Sequence, residues 1–165
     1  MAREIERKFL LSGDFRPFAV ASEPIRQGYL CREKGRTVRV RIKGERGFLT
    51  VKGPGSPSGM SRGEWEYEIP VRDAEELIAL CEKDAVIEKI RYEVPYKGFL
   101  FEVDEFLGRN NGLILAEVEL PDEESVFERP EWLGEEVTGD VRYYNSFLSK
   151  SPFGEWGFSA VRNNR

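Results

Sequence analysis

The chain has 165 residues, 40% of them hydrophobic and 33% charged, enough for one domain with a real core and too well mixed for disorder. It holds no histidine, and its two cysteines, Cys31 and Cys81, stand at no metal or redox spacing, which argues against a zinc centre and removes the imidazole base and any Ser-His or Cys-His dyad. The net charge of −5 leaves an anionic ligand open, because basic residues alternate in 36–43 and acidic ones in 64–68.

Strand-period alternation predicts strands at 3–11, 27–31, 36–43, 46–53, 64–71, 86–95, 99–106 and 114–121. The third and fourth read as a hairpin across Gly44–Gly47, and segment 53–63, GPGSPSGMSRG, reads as a flexible loop without the Gly-Lys-Ser/Thr ending of a phosphate-binding P-loop. A helix is predicted over 73–84, with Asp73 as N-cap, Glu76 three residues on, and Leu77, Ile78, Leu80 and Cys81 on one stripe. Strands 86–95 and 99–106 form a second hairpin around Lys97–Gly98. A short helix near 123–128 and a further one over 141–149 follow, and 151–165 is expected to be an irregular or docked tail after a single domain over 1–150. Apolar runs are only a few residues long, and the N-terminus has neither a signal core nor a transit pattern, so the expectation is a cytoplasmic protein with no membrane partner.

Strand by strand, one face is nearly all charged. Glu4, Glu6 and Lys8 share a face in the first strand, Arg39, Arg41 and Lys43 in the third, and Thr50 with Lys52 in the fourth. Glu64, Glu66 and Glu68 follow, then Lys89, Arg91 and Glu93, then Glu102 and Asp104, then Glu117 and Glu119. A sheet packed on helices and showing its charged face to water explains any one strand. It explains seven less well, because like charges at i and i+2 lie roughly 6.5–7 Å apart and repel unless an opposite charge intervenes. Paired carboxylates without histidine or thiolate suit a hard divalent ion such as Mg2+ or Mn2+, and fixed arginines and lysines suit phosphate oxygens. Together they describe a metal-polyphosphate site. Basic residues alternate with acidic strands instead of forming a stripe with exposed aromatics, so no nucleic acid partner is expected.

The Glu-x-Glu-x-Lys of Glu4, Glu6 and Lys8 resembles the signature of the CYTH superfamily, the triphosphate tunnel metalloenzymes. "RQGYL" at 26–30, Arg39-x-Arg41, "LTVKG" at 49–53, "EYEI" at 66–69, "EKIRY" at 88–92, "FEVDEF", "AEVEL" and "GEEVTGDVRYYN" at 134–145 are similar to the family's blocks in order, over about residues 3–149. The resemblance implies an α+β fold, an antiparallel eight-stranded β-barrel with a charged interior and a few helices outside. It implies that Lys8, Arg39, Arg41, Lys52, Lys89 and Arg91 bind a triphosphate, with Arg142 closing the phosphate end. It likewise implies that Glu4, Glu6, Asp104, Glu117 and Glu119 hold the divalent ion or its waters, that Glu66 and Glu68 form a further acidic pair, and that Tyr29 pairs with Lys8 to assist hydrolysis. The implied activity is metal-dependent removal of the terminal phosphate of a linear triphosphate. Trp65, Tyr67, Tyr92 and Phe101 fall on the uncharged faces, which leaves no stacking platform for a base and favours inorganic triphosphate. An adenylyl cyclase, a thiamine triphosphatase and a non-catalytic polyphosphate sensor are the alternatives, and a homodimer is left open.

Overall fold

The computed structural model describes residues 1–156 and contains nine strands, all paired antiparallel: β1 (Ala2–Leu11), β2 (Ala21–Glu33), β3 (Arg36–Lys43), β4 (Arg46–Gly55), β5 (Ser61–Ile69), β6 (Ile87–Tyr96), β7 (Phe99–Phe106), β8 (Ile114–Glu119) and β9 (Leu133–Glu136). Eight of them close on themselves in the order β1-β5-β4-β3-β2-β6-β7-β8, with β8 pairing back to β1. The closing pair is short. β5 lies beside β1 only from Ala2 to Ile5, while β8 lies along Glu6–Leu10 on the other edge. Below Ile5 the seam is filled by other backbone: the Glu6 N–H donates to the Met60 carbonyl, the Lys8 N–H to Thr138 Oγ1, and the Val137 N–H to the Lys8 carbonyl. The short β9 continues along that edge beside Phe9 and Leu11.

Inward faces switch character along the barrel axis. Leu10, Ile87, Phe106 and Leu115 form an apolar layer at one end, and each is followed two residues along its strand by Lys8, Lys89, Asp104 or Glu117. The apolar end is filled by Val137, Tyr143, Leu148 and Phe153 from the chain's last segment, so the barrel is a cup with an apolar base. Outside, Phe9, Val94, Phe101, Val103, Ala116 and Val118 pack against Phe15, Trp132 and Leu133. The helix α1 (Val71–Ala79) lays Ala74 and Ile78 on Val40 and Ile42. Apolar residues alternating with charged ones thus face outward, under a cover of loops and one helix.

Several boundaries differ from those predicted. β2 starts six residues before the predicted 27–31, because Pro24 reads as a breaker yet is accommodated opposite Ile90 in the ladder. β5 begins at Ser61, so the predicted loop shrinks to a turn over 56–60. α1 starts at Val71 after Pro70, leaving Asp73 in the first turn, and ends at Ala79; Leu80 then turns outward and is 75% exposed. Near 123–128 there is a turn, closed by Ser125 N–H to the Asp122 carbonyl, and no helix. The predicted helix 141–149 is broken. A 3-10 turn, Val141–Tyr143, capped by Asp140, is followed by an extended Tyr144 and the single-turn α2 (Asn145–Leu148). Residues 153–155 form another 3-10 turn docked through Phe153 and Trp156, while the rest of the predicted tail, 157–165, lies outside the described residues. Among the described residues no helix is long and apolar enough to cross a membrane.

Candidate active site

Above the apolar base the cup holds a cavity of about 240 Å³ whose wall is mostly charged. Of the residues picked out from the sequence, Glu4, Glu6 and Lys8 of β1, Tyr29 of β2, Arg39 and Arg41 of β3, Lys52 of β4, Glu66 of β5, Arg91 of β6, and Glu117 and Glu119 of β8 line it. Lys89 and Asp104 stand just behind this wall, 1% and 2% exposed. Glu68 and Arg142 do not line it: the Glu68 carboxylate accepts from Arg46 on the outer rim, and Arg142 turns back on Asp140. Their side chains leave the cavity because Glu68 is drawn onto Arg46 and because Arg142, in the 3-10 turn, pairs with Asp140.

The floor is organised by one carboxylate. Asp104 accepts two hydrogen bonds from the Arg91 fork, at 2.8 and 2.9 Å, and a third from Lys89 Nζ at 2.8 Å. Burial opposes its ionisation, but Arg91 and Lys89 outweigh it and hold the carboxyl below the usual range. Lys89, desolvated and next to Arg91 and Arg41, is pushed down to about 7 despite Asp104. It also donates to Asn145 Oδ1 at 2.9 Å, which ties the floor to α2, and lies 5.2 Å from the centre of the Phe106 ring. Arg41 forms no ion pair among the described residues: its Nε donates to Gln27 Oε1 at 3.1 Å, and Gln27 Nε2 donates to the Tyr29 hydroxyl at 3.3 Å. Burial, then the Arg39 and Arg91 charges, bring Arg41 down to about 9, still cationic at neutral pH. Arg39 is 8% exposed and donates to Thr50 Oγ1, yet its Nε is buried without a hydrogen-bond partner among the described residues. A buried donor left empty costs free energy, and an anion in the cavity would relieve it.

The acidic side is the mirror of this. Burial raises the Glu6 carboxyl well above the ordinary range, and the Glu117 and Glu4 charges add to the shift. Burial also acts on Glu117, but Lys8 and Arg91 more than offset it and bring it to about 2. Glu4 is lowered against its burial by Lys52, which donates to it at 2.6 Å. Glu119 and Glu64 are raised by burial and then by neighbouring carboxylates. Crowded carboxylates with no soft donor fit a hard divalent cation, which would remove this repulsion. Among the described residues no three of them are already gathered closely enough to hold an ion by themselves.

Lys8 is placed from three sides. Its Nζ donates to the Tyr143 carbonyl at 3.2 Å, pairs with Glu117 at 3.5 Å and lies 5.2 Å from the Tyr144 ring centre. No hydrogen bond joins it to Tyr29 among the described residues; Tyr29 is tied to Gln27. Sequence reasoning missed Arg62, Gln27, Tyr144 and Asn145. Arg62 had a signal, since it shares the period of Glu64 and Glu66, but the glycines and prolines before it read as loop. Tyr144 and Asn145 had none, because a helical reading of 141–149 conceals an extended residue that aims at the cavity.

A family model described as "CYTH domain" matches residues 2–145. An inorganic triphosphatase of Acetivibrio thermocellus is 53% identical over 154 residues, 93% of this chain and 97% of that protein. An inorganic triphosphatase of Nitrosomonas europaea is 42% identical over 153 residues, 90% of this chain and 97% of that one. A crystal structure of an inorganic triphosphatase superposes with a TM-score of 0.62 at 36% identity, covering 90% of this chain and 95% of that one.

Proposed function

This chain belongs to the CYTH domain family, and from that premise we propose that it is an inorganic triphosphatase, hydrolysing linear triphosphate to pyrophosphate and phosphate with the help of a divalent ion. The observation that carries the reading is the set of five cations, Lys8, Arg39, Arg41, Lys52 and Arg91, converging on one small cavity opposite Glu4, Glu6, Glu117 and Glu119. At about 240 Å³ the cavity is smaller than the roughly 300–1,000 Å³ of pockets that take drug-sized ligands, which suits a bare polyphosphate better than a nucleotide. Two aromatic residues line it, and the ring of Tyr144 is engaged by Lys8 and Arg62 rather than open for a base.

In this reading catalysis is positioning and charge. Arg39 and Arg41 grip non-bridging oxygens, with the empty Nε of Arg39 as one ready donor, while Lys8 and Lys52 flank the chain and Arg91 is fixed by Asp104. Lys89 holds Asp104 and α2 from behind, outside the cavity wall. Glu4, Glu6, Glu117 and Glu119 are the residues that would hold Mg2+ or Mn2+, with Glu66 at the edge of the set; bound there, the ion supplies charge neutralisation and an acidified water. The water oxygen bonds to the terminal phosphorus, the bridging P–O bond breaks, and the departing pyrophosphate keeps that bond's electrons while the water's proton leaves to a cavity base. A cavity carboxylate is the base proposed for that proton, while the Tyr29 hydroxyl, oriented by Gln27 on the Arg41 side, and Lys8, kept protonated against its burial by Glu117 and Glu6, assist by positioning and charge. We place the activity in the cytoplasm, where free thiols such as Cys31 and Cys81 persist.

The test is product analysis after incubation with inorganic triphosphate, ATP or thiamine triphosphate, with and without Mg2+ or Mn2+. The expected result is phosphate and pyrophosphate from inorganic triphosphate, only with a divalent ion. Cyclic AMP from ATP, or no turnover of any of the three, would overturn it.

A further inference from the structure

Arg62 enters the cavity from the seam, opposite Glu4 on β1 and Gly55 on β4. Its Nε donates to the Gly53 carbonyl at 3.1 Å, and its guanidinium carbon lies 5.8 Å from the centre of the Tyr144 ring. These two contacts fix the plane of the fork. Neither terminal nitrogen has a hydrogen-bond acceptor, and no carboxylate pairs with Arg62, among the described residues. Its neighbours differ: Lys8 has Glu117 at 3.5 Å, Lys52 has Glu4 at 2.6 Å, and Arg91 has Asp104 at 2.8 Å. Only Arg41 among the other cavity cations shares this lack of an ion pair within the described residues, and Arg41 belongs to the array already assigned to phosphate.

A planar fork, anchored through Nε and pointed into a polar cavity with both terminal nitrogens unused, matches two oxygens of one phosphate group. The Tyr144 ring also lies 5.2 Å from Lys8 Nζ, so one ring sets the separation of two cations that would otherwise repel. We propose that Arg62, braced by Gly53 and Tyr144, is a further phosphate-binding residue of this cavity, closing the cation array across the seam between β1 and β5 and gripping the triphosphate jointly with Lys8. The proposal rests on the triphosphatase reading for the identity of its ligand and names a contact that reading did not require.

The experiment compares the full-length protein with Arg62→Gln, Arg62→Lys and, as a charge control on the outer face of α1, Arg72→Gln. Calorimetric binding of inorganic triphosphate and steady-state hydrolysis with Mg2+ are measured on each, alongside melting temperature. Arg62→Gln is expected to raise both Kd and KM roughly 10- to 100-fold, the worth of one charge-assisted contact, with a smaller change in kcat. Arg62→Lys should recover part of the loss, and Arg72→Gln should show none. Wild-type Kd and KM in a folded Arg62→Gln, or in Arg62→Lys together with a Gln variant that does not fold, overturn the proposal. A wild type that binds triphosphate without hydrolysing it overturns the hydrolase reading while the binding constants still decide Arg62. A wild type that does neither overturns both.

Discussion

At the scale of single residues, two buried carboxylates have opposite effects on stability. Asp104 is the shared acceptor of Arg91 and Lys89, so Asp104→Asn takes the nearest counter-charge from the buried Arg91, which keeps Glu102 at 3.5 Å, and from Lys89. Removing one partner of such a group costs about 3–5 kcal/mol, and urea unfolding of the variant should show a loss of that order. Glu6 has the reverse role. Its carboxyl is raised in the folded protein by burial and then by Glu117 and Glu4, so between the ordinary carboxylate range and the raised value the folded state holds more protons than the unfolded one. Stability contributed by the protonated form is therefore full below the ordinary range and lost as pH rises through the raised value. In chelator-treated protein, Glu6→Gln should raise the melting temperature at neutral pH by at least a few degrees and flatten its decline with pH, while abolishing metal-dependent phosphate release. A decline of the melting temperature with pH as steep in the Glu6 variant as in wild type would contradict this account of the site.

At the scale of elements, the seam depends on two turns that touch backbone to backbone. Gly59, in the β4–β5 turn with φ of +77°, would bring a Cβ to 2.5 Å from the Cα of Gly139, itself at +79°. No side-chain rotation can relieve a clash with backbone, and the left-handed conformation adds its own strain. Gly59→Ala should cost roughly 1–3 kcal/mol, expose the 56–60 turn to limited proteolysis, and lower activity through Met60, whose carbonyl receives the Glu6 N–H. An Ala variant as protease-resistant and as active as wild type would show that this contact does not hold the seam. α2 shows the same principle on a smaller scale. One helical turn is too short to persist by itself, and it is held by Lys89 at Asn145 and by the burial of Leu148.

At the scale of the whole molecule, the barrel gathers unlike charges that have no full satisfaction without a ligand. The buried Arg39 Nε and the raised Glu6 and Glu119 carboxyls are costs borne by the ligand-free protein. Inorganic triphosphate and Mg2+ together should therefore stabilise by more than the sum of their separate effects. At a concentration of about 100 Kd the gain is about 2.7 kcal/mol, or roughly 5–10 °C in melting temperature for a chain of this size. Thermal shift titrations would check it, and additive effects of metal and triphosphate would speak against a joint site. Much of this was legible beforehand. Alternating charge located Glu4, Glu6, Lys8, Arg39, Arg41, Lys52, Arg91, Glu117 and Glu119, all of which line the cavity. Period alone could not say that Lys89 and Asp104 stand one layer behind the wall, that Glu68 sits on the outer rim, or that Arg142 turns outward, because period reports which face a residue takes and not how deep it lies.

The amino-acid order by itself determined the alternation of charged and apolar side chains, and through it an antiparallel sheet whose polar face had to meet something charged. This is local information, since neighbouring side chains on a strand point to opposite faces whatever lies beyond. Only the tertiary structure decided where the barrel closes, that the last segment fills one end with Tyr143, Leu148 and Phe153, and that Arg62 and Tyr144 meet at the seam. Those outcomes depend on contacts between residues far apart in the chain, such as Ile5 with Ser61 and Arg62 with Tyr144. Their energy comes from burying surfaces that no local pattern can pair in advance.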